Sequence, residues 1–528
     1  MKIQKSILII ASVFTLASCG TGKMISTPTA NIDTRPLKVM PLEEKDLKRW
    51  SHLDLIKDTI PGMSVDKAYT EILKSKKGVK VVVGVVDSGV DINHEDLKGN
   101  IWTNTKEIAG NNKDDDNNGY VDDINGWNFL GNAVNEQLEM ARIVKKGPSA
   151  PDYAKAKAKL EEEIAALQPQ KQQLDFIVNA DKAIKEYLKK SNYTLEDVKN
   201  IQTTDQKLLQ YKAMFTQILS NTTKEEFDKD IKEFEKYIYD QLNYNLNVDF
   251  DGRKIVGDNP DDINDKKYGN NNVIGPDAKE AKHGTHVAGI IAQTRNNQKG
   301  GDGIANNVQI MTLRAVPNGD EYDKDIALAI RYAVDNGAKI INGSFGKYFS
   351  PHKEWVLEAI KYAASKDVLV IFAAGNDSYN VDEVNKYPSD SYDGAPEVSD
   401  NVLIIGALNT YYGNDLVAPF SNYGKRNVDI FAPGMKIYAT TPLNNYEYLQ
   451  GTSMAAPNVA GVAALIRSYY PNLKANQVKQ IILESGTPLT NTVKVGENQS
   501  EINFSNISKS GKIVNAYQAL LLAEKRAK

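Results

Sequence analysis

The chain has 528 residues, 41% hydrophobic and 25% charged, with a formal net charge of −4. That length and apolar share suit a globular protein with a large core and more than one structural unit. A charge so close to balance gives no basic surface for nucleic acid, and a single cysteine, Cys19, excludes an internal disulfide.

The chain starts with Lys2 and Lys5, followed by an apolar run from Ile7 to Leu16 that is too short to stay in a bilayer as a helix. Small residues then lead into Cys19 in Leu16-Ala17-Ser18-Cys19-Gly20. This pattern resembles a bacterial lipoprotein signal. It implies a signal peptide over 1–18, a lipid on Cys19, and an exported protein anchored at a bacterial membrane, on its periplasmic face or at the cell surface. A plain secretory signal cut elsewhere is the alternative, and it also implies export. Residues 19–45 are polar and rich in Thr, Pro and Lys, which predicts a flexible tether. Trp50 and the stretch Leu53 to Ile60 predict a short ordered segment. Ser64 is then a candidate cap for a helix carrying Val65, Tyr69, Ile72 and Leu73, stopped at Gly78.

From Val79 the pattern changes to apolar strands alternating with helices. Strands are expected at the run ending in Asp87, at Val308 to Val316, at Ile340 to Asn342, at Val368 to Ala374 and at Val402 to Ala407. Helices are expected at Asp325 to Asn336 and Glu354 to Ser365. Near-continuous apolar strands with intervening helices predict a parallel sheet covered on both faces, with sites at the carboxyl ends of its strands. Asp87, Ser344 and Asn376 each fall at such an end.

Residues 136–247 interrupt this pattern and divide the α/β part into 46–135 and 248–525. From Asp152 to about Asn245 the sequence is rich in Lys, Glu, Gln and Leu and nearly free of glycine, which predicts an inserted all-helical subdomain. Leu160, Ile164 and Leu167 share one face, and Pro169 is expected to end that helix. Leu174, Ile177, Val178, Ile184 and Leu188 then belong to a second helix. Thr222 and Glu225 are a candidate capping box ahead of Phe227, Ile231, Phe234, Ile238 and Leu242. The composition assigns this insertion no function.

Two acidic stretches stand out. Asp114, Asp116, Asn118, Asp122 and Asp123 lie in a loop of alternating oxygen side chains with a glycine for a tight turn. Asp249, Asp251, Asp258, Asp261, Asp262 and Asp265 form a second group. Clustered carboxylates repel unless neutralised, which favours a hard cation such as Ca2+ at either loop. The first loop lacks the twelve-residue pattern of an EF-hand.

Three short motifs carry candidate chemistry. Asp87 closes the run in Val-Val-Asp-Ser-Gly-Val-Asp, His283 opens His-Gly-Thr-His-Val-Ala-Gly, and Ser453 sits in Gly-Thr-Ser-Met-Ala-Ala-Pro. A small-residue run follows Ser453, with Pro457 suited to a first helical turn, so Ser453 is expected at a helix N-terminus. There the backbone N–H groups and the dipole favour the oxyanion of an acyl transfer. The serine needs a base, and the base needs an orienting group.

With these motifs in this order, and with Ala373-Ala374-Gly375-Asn376 as a fourth, the chain resembles the subtilisin-like serine proteases, the subtilases. The resemblance implies a three-layer α/β sandwich with a mainly parallel central sheet. It also implies an endopeptidase acting on extended or unfolded protein or peptide substrates, as a monomer and with no organic cofactor. Ser453 would be the nucleophile, His283 the base, Asp87 its orienter and Asn376 the oxyanion donor. His286 is expected to be a packed helical residue instead, and the His283/His286 pair lacks a zinc pattern. Ser344, Phe345 and Gly346, with Ala374 and Gly375, would line the substrate strand and the pocket for the residue before the cut bond. Lys347 stands where many relatives have a second glycine, which would narrow that pocket or place a positive charge at its rim. Structural calcium is implied as well. The chain departs from the family in its Asp-to-His spacing of 196 residues, where a few tens are usual. No separate prodomain is recognisable before Val79.

Two other classes are less consistent with the residues. A peptide-binding pseudoprotease would be expected to have lost a member of the Asp/His/Ser set. An esterase or lipase would carry G-x-S-x-G with the order Ser, Asp, His.

Overall fold

Seven strands form the body of the sheet: β1 (Val81–Asp87), β2 (Gly126–Asn128), β3 (Val308–Arg314), β4 (Ile340–Gly343), β5 (Leu369–Ala373), β6 (Val402–Leu408) and β7 (Ile430–Pro433). They are apolar along almost their whole length because both faces are covered. This is a computed structural model that describes residues 41–528. The expected signal peptide 1–18, Cys19 and most of the tether 19–45 lie outside the described residues. The end of that tether reaches a helical turn at Glu44–Leu47.

The nine-stranded sheet runs Thr487–Pro488, Lys512–Ile513, β7, β6, β5, β4, β1, β3, β2. All its pairings are parallel except that between the two short C-terminal strands. Helix α1 (Lys282–Ala292) packs on α4 (Thr452–Tyr469), and α2 (Asp323–Asp335) packs on α3 (Lys353–Ser365). The two pairs cover opposite faces, so the fold is the expected α/β sandwich. Ile326, Ile330 and Val334 of α2 are buried, as their spacing requires. The crossover from β3 through α2 to β4 steps over β1. It thereby places the carboxyl ends of β5, β4 and β1 side by side, about 4.8 Å apart.

Near the start, Ser64 precedes a short helix, Val65–Ala68, that continues as a wider turn to Leu73. Ser64 is itself left-handed at φ 57° and makes no side-chain cap. The expected cap is therefore absent. Leu73 and Lys74 close the segment well before Gly78.

Residues Met140–Asp251 form a separate compact helical unit. Here Pro169 does not end a helix. Tyr153–Leu188 is one helix of 36 residues with the proline inside it. Leu160, Leu167 and Leu174 are buried at intervals of one heptad, as are Ile177 and Ile184. The buried seam thus crosses Pro169 in register, and its burial outweighs the hydrogen bond and the steric fit that the exposed proline forfeits. Ile164, expected on the same face, is exposed. The helix packs on Gln206–Leu219 and Lys224–Asp240. The latter begins at a capping box formed by Thr223 and Glu226, one residue later than the expected Thr222 and Glu225. Lys224 is buried between Asp181, at 3.3 Å, and Asp228, at 2.5 Å, so its charge is compensated within the unit. Among the described residues, no helix is long and apolar enough to cross a membrane.

Candidate active site

Asp87 is the last residue of β1 and His283 the second of α1. The His283 Nδ1 lies 2.7 Å from Asp87 Oδ1. The same oxygen accepts the Ser88 N–H at 2.7 Å. The carboxylate side chain is 1% exposed and the imidazole 39%, so the acid is sealed in while the far edge of the ring can be reached. Burial disfavours the imidazolium, but the charge and hydrogen bond of Asp87 outweigh it and raise the His283 pKa above 6.5. Thr285, one turn into the motif, donates to the Ala281 carbonyl at 2.7 Å and accepts the Asp91 N–H at 2.9 Å. It thereby locks the helix start against the loop that follows β1.

His286 has a different role. It is fully buried, and its Nε2 lies 3.0 Å from the Ile437 carbonyl and 3.1 Å from that of Glu447. Burial lowers its pKa to about 3, so it is a neutral packing residue tying α1 to the hairpin Ile437–Thr441/Asn445–Leu449.

Ser453 is the second residue of α4 and half-buried. Its hydroxyl donates to the Ser344 carbonyl at 3.0 Å, and the Ser344 hydroxyl donates back to the Ser453 carbonyl at 2.8 Å. The reason lies four residues on. Pro457 falls in the second turn of α4 rather than the first, and it has no N–H for the Ser453 carbonyl. Ser344, which itself accepts from Asn342 Nδ2 at 2.9 Å, fills that vacancy.

Asn376 follows β5 and is held by the residue before the serine. Its Oδ1 accepts both the N–H of Thr452, at 2.8 Å, and the Thr452 hydroxyl, at 3.0 Å. The Thr452 oxygen in turn accepts the Gly375 N–H at 3.0 Å. Two donors on one oxygen settle which end of the amide is which, leaving Nδ2 to point elsewhere. Gly451 adopts φ +152°, and a Cβ on it would sit 3.5 Å from both Asn376 Nδ2 and the Ser453 nitrogen. The space kept open by this glycine is therefore flanked by two N–H donors beside the Ser453 hydroxyl, a suitable place for an oxyanion.

Ser344, Phe345 and Gly346 leave the end of β4, while Ala374 and Gly375 leave the end of the adjacent β5. These five residues form two walls next to Ser453. Lys347 adds no charge there. It is buried, with its ammonium 2.8 Å from Glu139 and 3.1 Å from Asp323, and it donates to the Glu321 carbonyl at 2.7 Å. Its buried charge is thus compensated by two carboxylates away from the walls. Lys386, which sequence reasoning missed, lies between the walls instead.

The acidic loops divide differently from expectation. Glu107, Asp114 and Asp116 bring one oxygen each within 4.8 Å of one another, the one such group among the described residues. Asp122 and Asp123 do not join them. Asp122 accepts backbone N–H groups from Gly110, Asn111 and Asn112. Asp123 is buried against Asn104, Asn118 and Tyr332, and that burial raises its pKa. The Asn118 amide is spent on Asp123 and its carbonyl on the Tyr120 N–H. In the second stretch Asp258 and Asp261 have protein partners. Asp258 pairs with Arg253 at 2.7 Å and Lys324 at 2.5 Å, and Asp261 with His352 at 2.8 Å. Glu107 was not anticipated because it precedes the acidic run and reaches it only through the loop's fold.

A model of the subtilase family of peptidases matches residues 78–504. The chain is 40% identical over 211 residues to a thermophilic serine proteinase of Bacillus sp. (strain AK1), covering 40% of this chain and 48% of that protein. It is 36% identical over 217 residues to subtilisin DY of Bacillus licheniformis, covering 41% and 74%. A solved protease structure from Pseudoalteromonas arctica is matched at 30% identity over 46% of this chain and 70% of that one, with a TM-score of 0.37. The chain spans about half the length of the first of these relatives.

The two histidines should separate in a proton NMR titration of the intact chain carrying Ser453→Ala. His283 should titrate above 6.5 and shift downward in Asp87→Asn, whereas His286 should stay neutral down to about pH 3. Since a base must be unprotonated to accept a proton, any reaction using His283 should fail as pH drops through that raised value.

Proposed function

Because the chain belongs to the subtilase family of serine-type endopeptidases, we propose that it is an exported endopeptidase. It would cut extended or unfolded protein substrates with Asp87, His283, Ser453 and Asn376. The observation that carries this reading is the 2.7 Å Asp87–His283 hydrogen bond, together with a serine at a helix N-terminus. Ser453 Oγ attacks the scissile carbonyl, and His283 Nε2 takes the hydroxyl proton as the new bond forms. Asp87 holds Nδ1 protonated and stabilises the imidazolium. The carbonyl oxygen, now negative, is received by the Ser453 N–H and Asn376 Nδ2. Collapse breaks the C–N bond, with His283 returning the proton to the leaving amine. Water then repeats the sequence on the acyl-serine, with His283 as base again. For attack, the Ser453 hydroxyl must give up its hydrogen bond to the Ser344 carbonyl and donate to His283 instead.

The oxygen set of Glu107, Asp114 and Asp116 fits a hard cation, and we assign it to Ca2+. The ion would supply charge neutralisation and rigidity to the loop, not chemistry. Cys19, preceded by small residues and an apolar run, would carry the lipid that anchors the exported chain to the membrane.

Digestion of an unfolded protein by the full chain tests the central reading: Ser453→Ala should abolish it. Asn376→Ala should lower kcat about 10²–10³-fold, the size measured when the oxyanion donor of a subtilisin is removed. A chelator should lower the Tm, with Ca2+ restoring it, and Asp114→Asn/Asp116→Asn should make the Tm indifferent to both. In cells fed labelled fatty acid, the wild type should take up label and Cys19→Ser should not.

A further inference from the structure

β4 and β5 are paired through Gly343 and Phe372, after which the two chains part. The gap between them opens beside Ser453. A peptide whose carbonyl sits on Ser453, with its oxygen between Asn376 Nδ2 and the Ser453 N–H, directs the side chain of that same residue toward this gap. Lys386 crosses it. Its ammonium donates to the Phe345 carbonyl on one wall at 2.8 Å and to the Ala373 carbonyl at the base of the other at 2.6 Å.

The backbone dictates this placement. Lys347 and Tyr387 exchange hydrogen bonds at 2.9 and 2.8 Å, which seats Lys386 against Gly346. A Cβ on Gly346 would lie 2.0 Å from Lys386 Cε, so only glycine lets the lysine stem pass. Lys386 is 6% exposed, and no carboxylate stands within ion-pair distance of it among the described residues. Glu321 and Asp377 act on it only from further away. Burial draws its pKa down to about 8, against the pull of those two acids, so it is still charged at neutral pH. A buried ammonium satisfied by two carbonyl dipoles, with a third N–H to give, lacks the anion that buried cations ordinarily have.

We propose that Lys386 is the specificity determinant of the cleavage site, receiving the carboxylate of a glutamate or aspartate immediately before the bond to be cut. This rests on the endopeptidase reading. A carboxylate reaching the ammonium forms a charge-assisted hydrogen bond in a water-poor slot, where an amide or an alkyl group leaves the charge unmatched. The neighbouring cation offers no alternative: Lys347 is neutralised by Glu139 and Asp323, so Lys386 is the one left to select.

The test uses peptides identical except for Glu, Gln, Leu or Ala before the cut bond, with kcat/KM measured for the full chain. Glu should exceed Gln and Leu by about tenfold or more, the size of a hydrogen bond to a charged group. Lys386→Met should erase that ratio and Lys386→Arg should keep it. Preference for Leu or Ala, or a ratio unmoved in Lys386→Met, would overturn the assignment while leaving the endopeptidase intact. If no peptide is cut, the endopeptidase reading fails, and calorimetry on Ser453→Ala still decides the pocket. Amidated peptides ending in Glu must then bind about tenfold tighter than those ending in Gln, and equal binding would refute the proposal.

Discussion

Two serines exchange hydrogen bonds where β4 meets α4, and the rest of the candidate site depends on them. Ser453 donates to the Ser344 carbonyl, and Ser344 donates to the Ser453 carbonyl. The exchange exists because Pro457 cannot supply the N–H that a regular helix would offer. A defect inside α4 thus becomes a link between the helix that carries Ser453 and the end of β4. Thr452 makes the matching link to the other wall through Gly375 and Asn376. Ser453, Asn376 and the ends of β4 and β5 are therefore tied together through Ser344, Gly375, Asn376, Thr452 and Ser453, which belong to three elements. Their spacing is set by the parallel ladder beneath them.

Charge burial follows one rule across the α/β unit: each buried ion meets an opposite charge or several dipoles. Lys347 has Glu139 and Asp323, and Lys324 has Asp258. Arg253 lies between Asp258 and Asp325, at 2.7 and 2.6 Å. Breaking one such pair leaves an uncompensated charge and costs about 3–5 kcal/mol. Lys386, like Arg314, has only dipoles, but its two bonds to carbonyls leave a third N–H that can still act on a ligand.

The helical unit obeys its own pattern. Its longest helix keeps a buried heptad seam through Pro169, so continuous burial decided the helix length and the local breaker did not. Ile164, although one turn from Leu160 on the same side of the helix, is left exposed at the edge of this seam.

The amino-acid sequence by itself determined the α/β class and most strand and helix positions, and its motifs singled out Asp87, His283, Asn376 and Ser453 as the proposed site. Apolar periodicity and short motifs are local properties that survive without knowledge of contacts. Some element ends were misjudged for the same local reason, as at Ser64, Pro169 and the Thr223 cap. Only the tertiary structure decided which charges meet. Lys347 turns inward and Lys386 enters the gap because Lys347 and Tyr387, forty apart in sequence, meet in a backbone bridge. Glu107 joins Asp114 and Asp116 while Asp122 and Asp123 turn to backbone and amide donors. Electrostatic partners are chosen by proximity in space, and proximity in space is what a linear pattern of residue types does not encode.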